Sequence, residues 1–213
     1  MKSLSDALED IIKSATEELR DREDARNEAL GRARRARMLS KQAIQYLHTY
    51  ETEKASENLE EASRLLSEIF KYAENHEELL FFNQVEDTRQ EFAEASVLFS
   101  LNNEEGYPSP ESLGIPYTDY LLGLADVPGE LRRQALNHLQ EGKMTEARKR
   151  LDIMEEIYLN LTAMEEGSLL LKGMRRKMDI IRTINEKTQA DITNELSRQR
   201  LSEKLDELSK KLS

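Results

Sequence analysis

The stretch Asp119-Tyr-Leu-Leu-Gly-Leu-Ala-Asp-Val-Pro-Gly-Glu-Leu-Arg-Arg133 decides the fold of this chain. It mixes a tight apolar run with acids, glycines and one proline, whereas most of the sequence is generic charged helix. Proline is favoured in the first turn of a helix, where its missing N–H is not needed. The stretch therefore predicts two short helices, at about 117–126 and 129–140, and Glu141-Gly142 closes the second.

The acidic residues of this stretch first receive structural interpretations. Asp126 lies just before Pro128, where a carboxylate caps the next helix. Glu130 falls in the first turn of that helix, where the helix dipole favours an acid. Arg132 and Arg133 either pair with these acids or contact phosphate, and the sequence leaves both roles open.

The rest of the chain predicts an all-α protein. Among 213 residues, 34% are charged, 38% are hydrophobic, and only 8 Gly and 4 Pro interrupt the helical periodicity. The first helix would approach ~70 Å at 1.5 Å per residue, so it needs a bundle or another subunit to bury its apolar stripe. The predicted helices outside the opening stretch cover residues 3–50, 52–73, 76–101 (capped by Asn75), 144–164 and 168–210, and the main loop covers 102–116.

Several classes of protein are excluded or disfavoured by composition. No apolar run approaches the roughly 20 residues that span a bilayer, and acids from Asp6 onward argue against a signal-peptide core. The chain has no cysteine, which excludes disulfides, zinc-thiolate sites and thiol nucleophiles. We expect a cytoplasmic protein that does not contact membranes. His48, His76 and His138 are scattered, and we interpret them as packing or surface residues.

The net charge of −11 is unevenly distributed along the chain. Residues 51–105 contain fifteen acids and four bases, so their net charge of −11 equals that of the whole chain. Residues 26–41 contain six bases and one acid, and residues 172–182 contain five bases and one acid. One surface of the protein is therefore expected to be basic and another acidic, which leaves nucleic acid open as a partner.

Glu91 and Glu94 form the main candidate site. A spacing of three residues places both carboxylates on one face of a helix, next to apolar neighbours such as Phe92 and Ala95. Two such carboxylates resist ionising together unless a cation compensates them. A hard divalent cation such as Mg²⁺ would do so and suits phosphodiester hydrolysis. The alternative is that both glutamates simply face solvent.

Two basic segments are candidates for RNA binding. Arg34, Arg37 and Lys41 recur at helical spacing and form one stripe, and a second patch contains Arg175, Arg176 and Lys177. Such patches fit sequence-independent contact with an RNA backbone. The alternative is a solvated helix face that pairs with nearby acids.

Three segments resemble the translin family. The stretch at 119–133 resembles the family signature, and Gln90-Glu-Phe-Ala-Glu-Ala95 resembles the paired-glutamate segment of translin-associated factor X, which translin lacks. Ser40-Lys-Gln-Ala-Ile-Gln-Tyr-Leu-His48 also resembles factor X. The resemblance covers roughly residues 5–195 and is closer to factor X than to translin.

This resemblance implies a seven-helix translin fold, closed octamer-like barrels that hold RNA, and a metal-dependent ribonuclease. In factor X an aspartate on the helix after the signature completes the metal site. Glu156 takes its place if three residues are missing from the preceding loop, and Glu155 and Asp152 are the alternatives. The resemblance thus implies Glu91, Glu94 and Glu156 as catalytic ligands of Mg²⁺, with Mn²⁺ as a substitute.

The resulting hypothesis is one domain, 1–213, with 190–213 as a terminal helical extension. It would form a homo-oligomer of up to eight copies, and a separate translin-like partner stays open. The expected activity is endonucleolytic cleavage of single-stranded or short duplex RNA. The alternatives are a non-catalytic scaffold for RNA or single-stranded DNA, as translin is, and a purely structural helical protein.

Overall fold

The computed structural model describes the backbone of residues 4–164 and 171–212, and all of the regular structure in these residues is helical. The prediction of an all-α fold is confirmed. The helices are α1 (Leu4–His48), α2 (Thr52–Ala73), a 3₁₀ helix (Glu77–Phe81), α3 (Asn83–Asn102), α4 (Pro110–Leu113), α5 (Tyr117–Leu124), α6 (Val127–Gln140), α7 (Met144–Thr162) and α8 (Met174–Leu212).

The core is assembled around the second half of α1. Its alanines 29, 33, 36 and 43 are fully buried, so α2 and α3 approach the α1 backbone closely. α5 packs on α3, while α6, α7 and α8 pack on one another and α6 joins them to α3. The large side chains at the start of α1, such as Leu8 and Ile11, are exposed.

Three predicted boundaries differ from the structure. The third helix does not run from residue 76, because a 3₁₀ helix precedes it and Phe82 is extended, with ψ of 128°. Asn75 caps neither helix: His76 is the N-cap of the 3₁₀ helix and Phe82 that of α3. The predicted loop at 102–116 contains the one-turn helix α4, which Ser109 caps through its side chain. The predicted start of the last helix, at residue 168, lies outside the described residues.

None of the helices that the structure describes is both long and apolar enough to cross a bilayer.

Candidate carboxylate site and basic groove

α5 touches the backbone of α3 at Gly123. A Cβ atom built on Gly123 would lie 2.3 Å from the backbone oxygen of Gln90 and 3.1 Å from the backbone nitrogen of Glu94. Real Cβ atoms essentially never come within 3.0 Å of such an atom, so this position requires glycine. The contact sets α5 against the turn of α3 that bears both candidate glutamates.

A buried ion pair reinforces the same contact. The Arg89 guanidinium of α3 donates to the Asp119 carboxylate of α5, and both side chains are about 95% buried. Arg89 also donates to the carbonyl of Leu80, at 2.9 Å, which ties down the segment before α3. A paired charge inside a protein depends strongly on its partner. The acid that opens the signature stretch therefore positions α3 and takes no part in the candidate chemistry.

Glu94 lies in a carboxylate cluster that α3 and α6 share. Burial is the largest cause that raises the pKa of Glu94 to about 8. The carboxylates of Asp126, Glu91 and Glu130 raise this pKa in the same direction, and the ammonium of Lys177 opposes them. At neutral pH Glu94 is therefore mostly protonated in the protein alone.

Glu91 faces the basic side of α1. Its carboxylate lies 3.4 Å from Nε of Arg37 and 3.7 Å from Nζ of Lys41, and its side chain is 15% exposed. Arg37 also reaches Asp87 at 3.3 Å. Glu91 and Glu94 are thus neighbours on α3 with different surroundings: one meets cations at the surface, and the other is buried among acids.

An open groove runs along this side of α1. Its volume is about 580 Å³, and its lining consists of Arg34, Arg37, Met38, Lys41, Gln42 and Gln45. The three predicted basic residues therefore share one surface. Arg34 is exposed and has no hydrogen-bond or ion-pair partner among the described residues.

Asp126 has a different role from the predicted one. It is the N-cap residue of α6, as expected, but its side chain makes no capping hydrogen bond. Its carboxylate instead accepts from Nζ of Lys177, at 2.6 Å and 2.5 Å. Lys177, one of the predicted RNA contacts, thus directs its charge at the carboxylate cluster, while Arg175 and Arg176 beside it are exposed.

Glu130 connects the cluster to α1. It lies in the first turn of α6, as predicted, and its carboxylate is 2.5 Å from Nε2 of His48. This hydrogen bond is the largest cause that lowers the pKa of Glu130. The side chain of His48 is buried, which agrees with its interpretation as a packing residue. Its partner Glu130 lies 82 residues away in the sequence, so no local pattern could predict this hydrogen bond.

Glu156 lies on the exposed side of α7. It interacts with Tyr107. The pKa of the Tyr107 hydroxyl is raised to about 12, first by burial and then by the charge and hydrogen bond of Glu156. Glu156 is not among the groups that shift the pKa of Glu94. The alternatives Asp152 and Glu155 are exposed on the same helix.

Carboxylates are the ligand type that Mg²⁺ takes, and a cation would relieve the repulsion around Glu94. Within residues 4–164 and 171–212, however, no three His, Asp or Glu side chains are grouped closely enough to hold a metal ion. The carboxylates are therefore the right type of ligand for Mg²⁺, but three of them do not come together in the described part of the chain.

The arginines of the signature stretch have their own partners. Arg132 donates to the Thr188 hydroxyl at 2.7 Å and to Asp191 at 2.9 Å, so it fastens α6 to α8. Arg133 lies 4.0 Å from Glu130. Of the two roles that the sequence left open, pairing with an acid of the stretch is observed for Arg133, whereas Arg132 pairs with Asp191 of α8 instead.

Fold and site together define an all-helical bundle that presents a partly buried carboxylate cluster beside a basic groove. The model of the translin family matches residues 70–190, more than half of the chain. The chain belongs to the translin family.

The chain is also similar to solved structures and to a curated relative. AfC3PO in complex with duplex RNA is 30% identical, with a TM-score of 0.80 over 88% of this chain and 97% of that chain. Apo-NeC3PO is 26% identical, with a TM-score of 0.79 over 86% of this chain and 96% of that chain. An uncharacterised protein of Methanocaldococcus jannaschii is 35% identical over 126 residues, which is 59% of this chain and 56% of the length of that relative.

Proposed function

We propose that this protein is a metal-dependent endoribonuclease of the factor-X type that cleaves single-stranded or short duplex RNA. The observation that supports this most directly is the different setting of the two glutamates. Glu91 is held by Arg37 and Lys41 at the edge of the basic groove, and Glu94 lies behind it with its pKa raised to about 8. A phosphodiester bound by the groove would therefore lie beside two carboxylates, one paired with the cations of the groove and the other buried among acids.

Glu91 and Glu94 would hold Mg²⁺, with Mn²⁺ as a substitute, and Glu156 would complete the set. When bound, such an ion supplies an activated water and offsets charge on the phosphate. Glu94 would lose its proton on binding, because a cation offsets the burial and the repulsion that together raise its pKa. Glu155 and Asp152 are the alternative third ligands.

The basic groove would bind the RNA backbone. Arg34 and Lys41 are exposed, and Arg34 has no partner within the described residues, so its charge is available to phosphate. Arg37 would exchange its bonds with Glu91 and Asp87 for bonds with RNA. Arg175, Arg176 and Lys177 would form a second contact, for which Lys177 would exchange its bonds with Asp126 for bonds with RNA. The similarity to AfC3PO, solved with duplex RNA, favours RNA over single-stranded DNA.

Self-assembly would enclose the RNA. The exposed Leu8, Ile11, Ile12 and Leu19 form an apolar stripe on α1 that nothing in the described part of this chain covers. Burying it between copies would produce a closed homo-oligomer of up to eight chains. Native mass spectrometry of the purified chain tests this, and a monomer would contradict it. Added translin-like protein would test for a mixed assembly.

The central test of catalysis replaces both glutamates, Glu91→Ala with Glu94→Ala, and measures cleavage of end-labelled RNA in Mg²⁺. We expect the cleavage rate to fall at least ~100-fold, because the metal that activates the water would lose two carboxylate ligands. RNA binding should persist, because the groove keeps its cations.

The matched control uses another glutamate pair with the same spacing. Glu57→Ala with Glu60→Ala removes two exposed glutamates from α2, so it makes the same two substitutions at the same spacing on a different helix. Its cleavage rate should equal that of the wild type. Full activity in the Glu91 and Glu94 variant would refute the catalytic assignment.

The second candidate is a non-catalytic scaffold that binds RNA or single-stranded DNA. The observation that favours it is that no three potential ligands are grouped for a metal among the described residues. It predicts binding without cleavage, unchanged by EDTA. Cleavage that EDTA abolishes and Mg²⁺ or Mn²⁺ restores would exclude it.

A further inference from the structure

A small cavity lies where the end of α1, the start of α2 and the end of α3 meet α6 and α7. Its volume is about 110 Å³, enough for several waters or one small ion. It is separate from the basic groove. The residues that line it are Leu47, His48, Tyr50, Thr52, Asn102, Asn103, Gln134, Asn137, His138 and Arg150.

Four buried polar atoms of this lining have no hydrogen-bond partner among the described residues: Nδ1 of His48, Oδ1 of Asn102, Oε1 of Gln134 and Nδ1 of His138. The side chain of His48 is 4% exposed, and Gln134 and His138 are 7% and 8% exposed. Buried polar groups are normally satisfied. Four unsatisfied atoms around one space indicate that a polar guest belongs there.

The charge of the lining indicates an anion. Arg150 is its one formally charged residue, and no hydrogen bond or ion pair holds its guanidinium within the described part of the chain. Burial lowers the pKa of Arg150, while Glu146 and Glu104 lie close enough to raise it. No carboxylate lines the cavity. A guanidinium stays charged at any physiological pH and binds oxyanions through several N–H groups.

The neutral side chains can complete such a site. The oxygen and nitrogen ends of an amide have nearly the same shape, so Asn102 and Gln134 can present NH₂ groups by rotating. His138 can carry its proton on Nδ1 and donate it to the guest, whereas His48 donates from Nε2 to Glu130 and offers its Nδ1 as an acceptor for a protonated phosphate oxygen. Thr52 is the first residue of α2, whose free amides give that end of the helix a partial positive charge.

We propose that this cavity binds a small oxyanion of the size of phosphate. The site is independent of the proposed nuclease activity. Two sources share the chemistry: free orthophosphate, and the terminal phosphate of an RNA fragment.

The test measures the melting temperature of the full chain in 10 mM phosphate, with chloride of equal ionic strength as the reference. We expect phosphate to raise the melting temperature by roughly 3 °C, as millimolar binding to the folded state would. Arg150→Gln should lose most of this rise, measured against its own reference. Asn102→Asp should lose it as well, because it introduces a carboxylate into the cavity.

Arg20→Gln is the matched control, because it removes an exposed arginine of α1 that lines neither the cavity nor the basic groove, and it should keep the full rise. No rise in the wild type would mean that the cavity holds only water, and a rise that survives Arg150→Gln would place phosphate elsewhere. Either result overturns the proposal. A 5′-phosphorylated dinucleotide that stabilises more than its 5′-hydroxyl form, only with Arg150 present, would identify the terminal phosphate of RNA as the source.

Discussion

The contact between α3 and α5 and the basic groove of α1 lie on either side of Glu91 and are built in opposite ways. In the first, Gly123 packs against the backbone of α3, and the ion pair of Arg89 with Asp119 is about 95% buried. The second is an open surface of charged and amide side chains, several of them exposed. Substitutions in the contact should therefore change stability and geometry, whereas substitutions in the groove should change binding alone.

The largest effect should come from breaking the ion pair. Arg89→Met leaves the Asp119 carboxylate buried without its partner, and we expect it to lower the free energy of unfolding by about 3–5 kcal/mol. Urea denaturation followed by circular dichroism measures this. The exposed Arg20 on α1 supplies the control, because Arg20→Met should change stability by less than about 0.5 kcal/mol. Equal effects of the two substitutions would remove the distinction between the regions.

Gly123→Ala should have the next largest effect. We expect it to lower the free energy of unfolding by about 3 kcal/mol, because a Cβ at 2.3 Å from the Gln90 oxygen forces two backbones apart. The same denaturation experiment measures it, and cleavage should fall along with stability. Gly31→Ala is the matched control, since Gly31 lies within α1 and a Cβ there meets nothing within 4 Å. Alanine at 31 should instead stabilise the helix by ~0.5–1 kcal/mol. A tolerated alanine at 123 would show that the contact is looser than described.

Glu94→Gln tests the cluster between the two regions. An acid whose folded pKa is about 8 keeps its proton when folded and loses it when unfolded, so wild-type stability without metal should fall as pH rises from about 4.5 to about 8. Glutamine cannot lose a proton. The variant should therefore be more stable than the wild type at pH 8, by at most about 4.5 kcal/mol at 1.4 kcal/mol per pKa unit, and nearly equal to it at pH 4.5.

Thermal melts across this pH range in EDTA provide the measurement. Glu57→Gln is the control, because that carboxylate is exposed on α2 and is not among the groups that shift the pKa of Glu94. A Glu94→Gln variant that keeps the wild-type pH dependence would show that Glu94 is ionised in the folded protein.

The smallest effect is expected in the groove. Arg34→Gln should leave stability unchanged and weaken RNA binding by about 3- to 10-fold at low salt, since it removes one phosphate contact. The dependence of log K on log salt should become shallower by about 0.7. Fluorescence anisotropy with a labelled RNA measures both, with Arg20→Gln as the control outside the groove. An unchanged slope would exclude Arg34 from the RNA contact.

Much of the fold was predictable from local patterns, and the differences have physical causes. The ends of α2 and α6 follow apolar periodicity and glycine or proline signals, and the structure agrees within about two residues. The break before α3 was missed, because the continuous apolar run from Leu79 to Phe82 fits a helix as well as it fits a 3₁₀ turn. The tertiary bond from Arg89 to the Leu80 carbonyl ties this segment to α3.

The candidate site was predictable only where it is local. The spacing of Glu91 and Glu94 identified one helix face. It could not show that Asp126 and Glu130 lie near enough to raise the pKa of Glu94, because that depends on how α6 packs against α3. A usable signal was Gly123, since a glycine inside a short apolar helix indicates close approach of another backbone. Whether Glu156 joins the set stays a prediction.

The absent side chain at position 123 also determines how firmly the two glutamates are held. Main chain rests on main chain there, with no rotatable group between them to absorb motion. The spacing of the acids from α5 is consequently governed by hard atomic radii, which vary little with temperature or solvent, whereas a contact between long side chains would soften and drift.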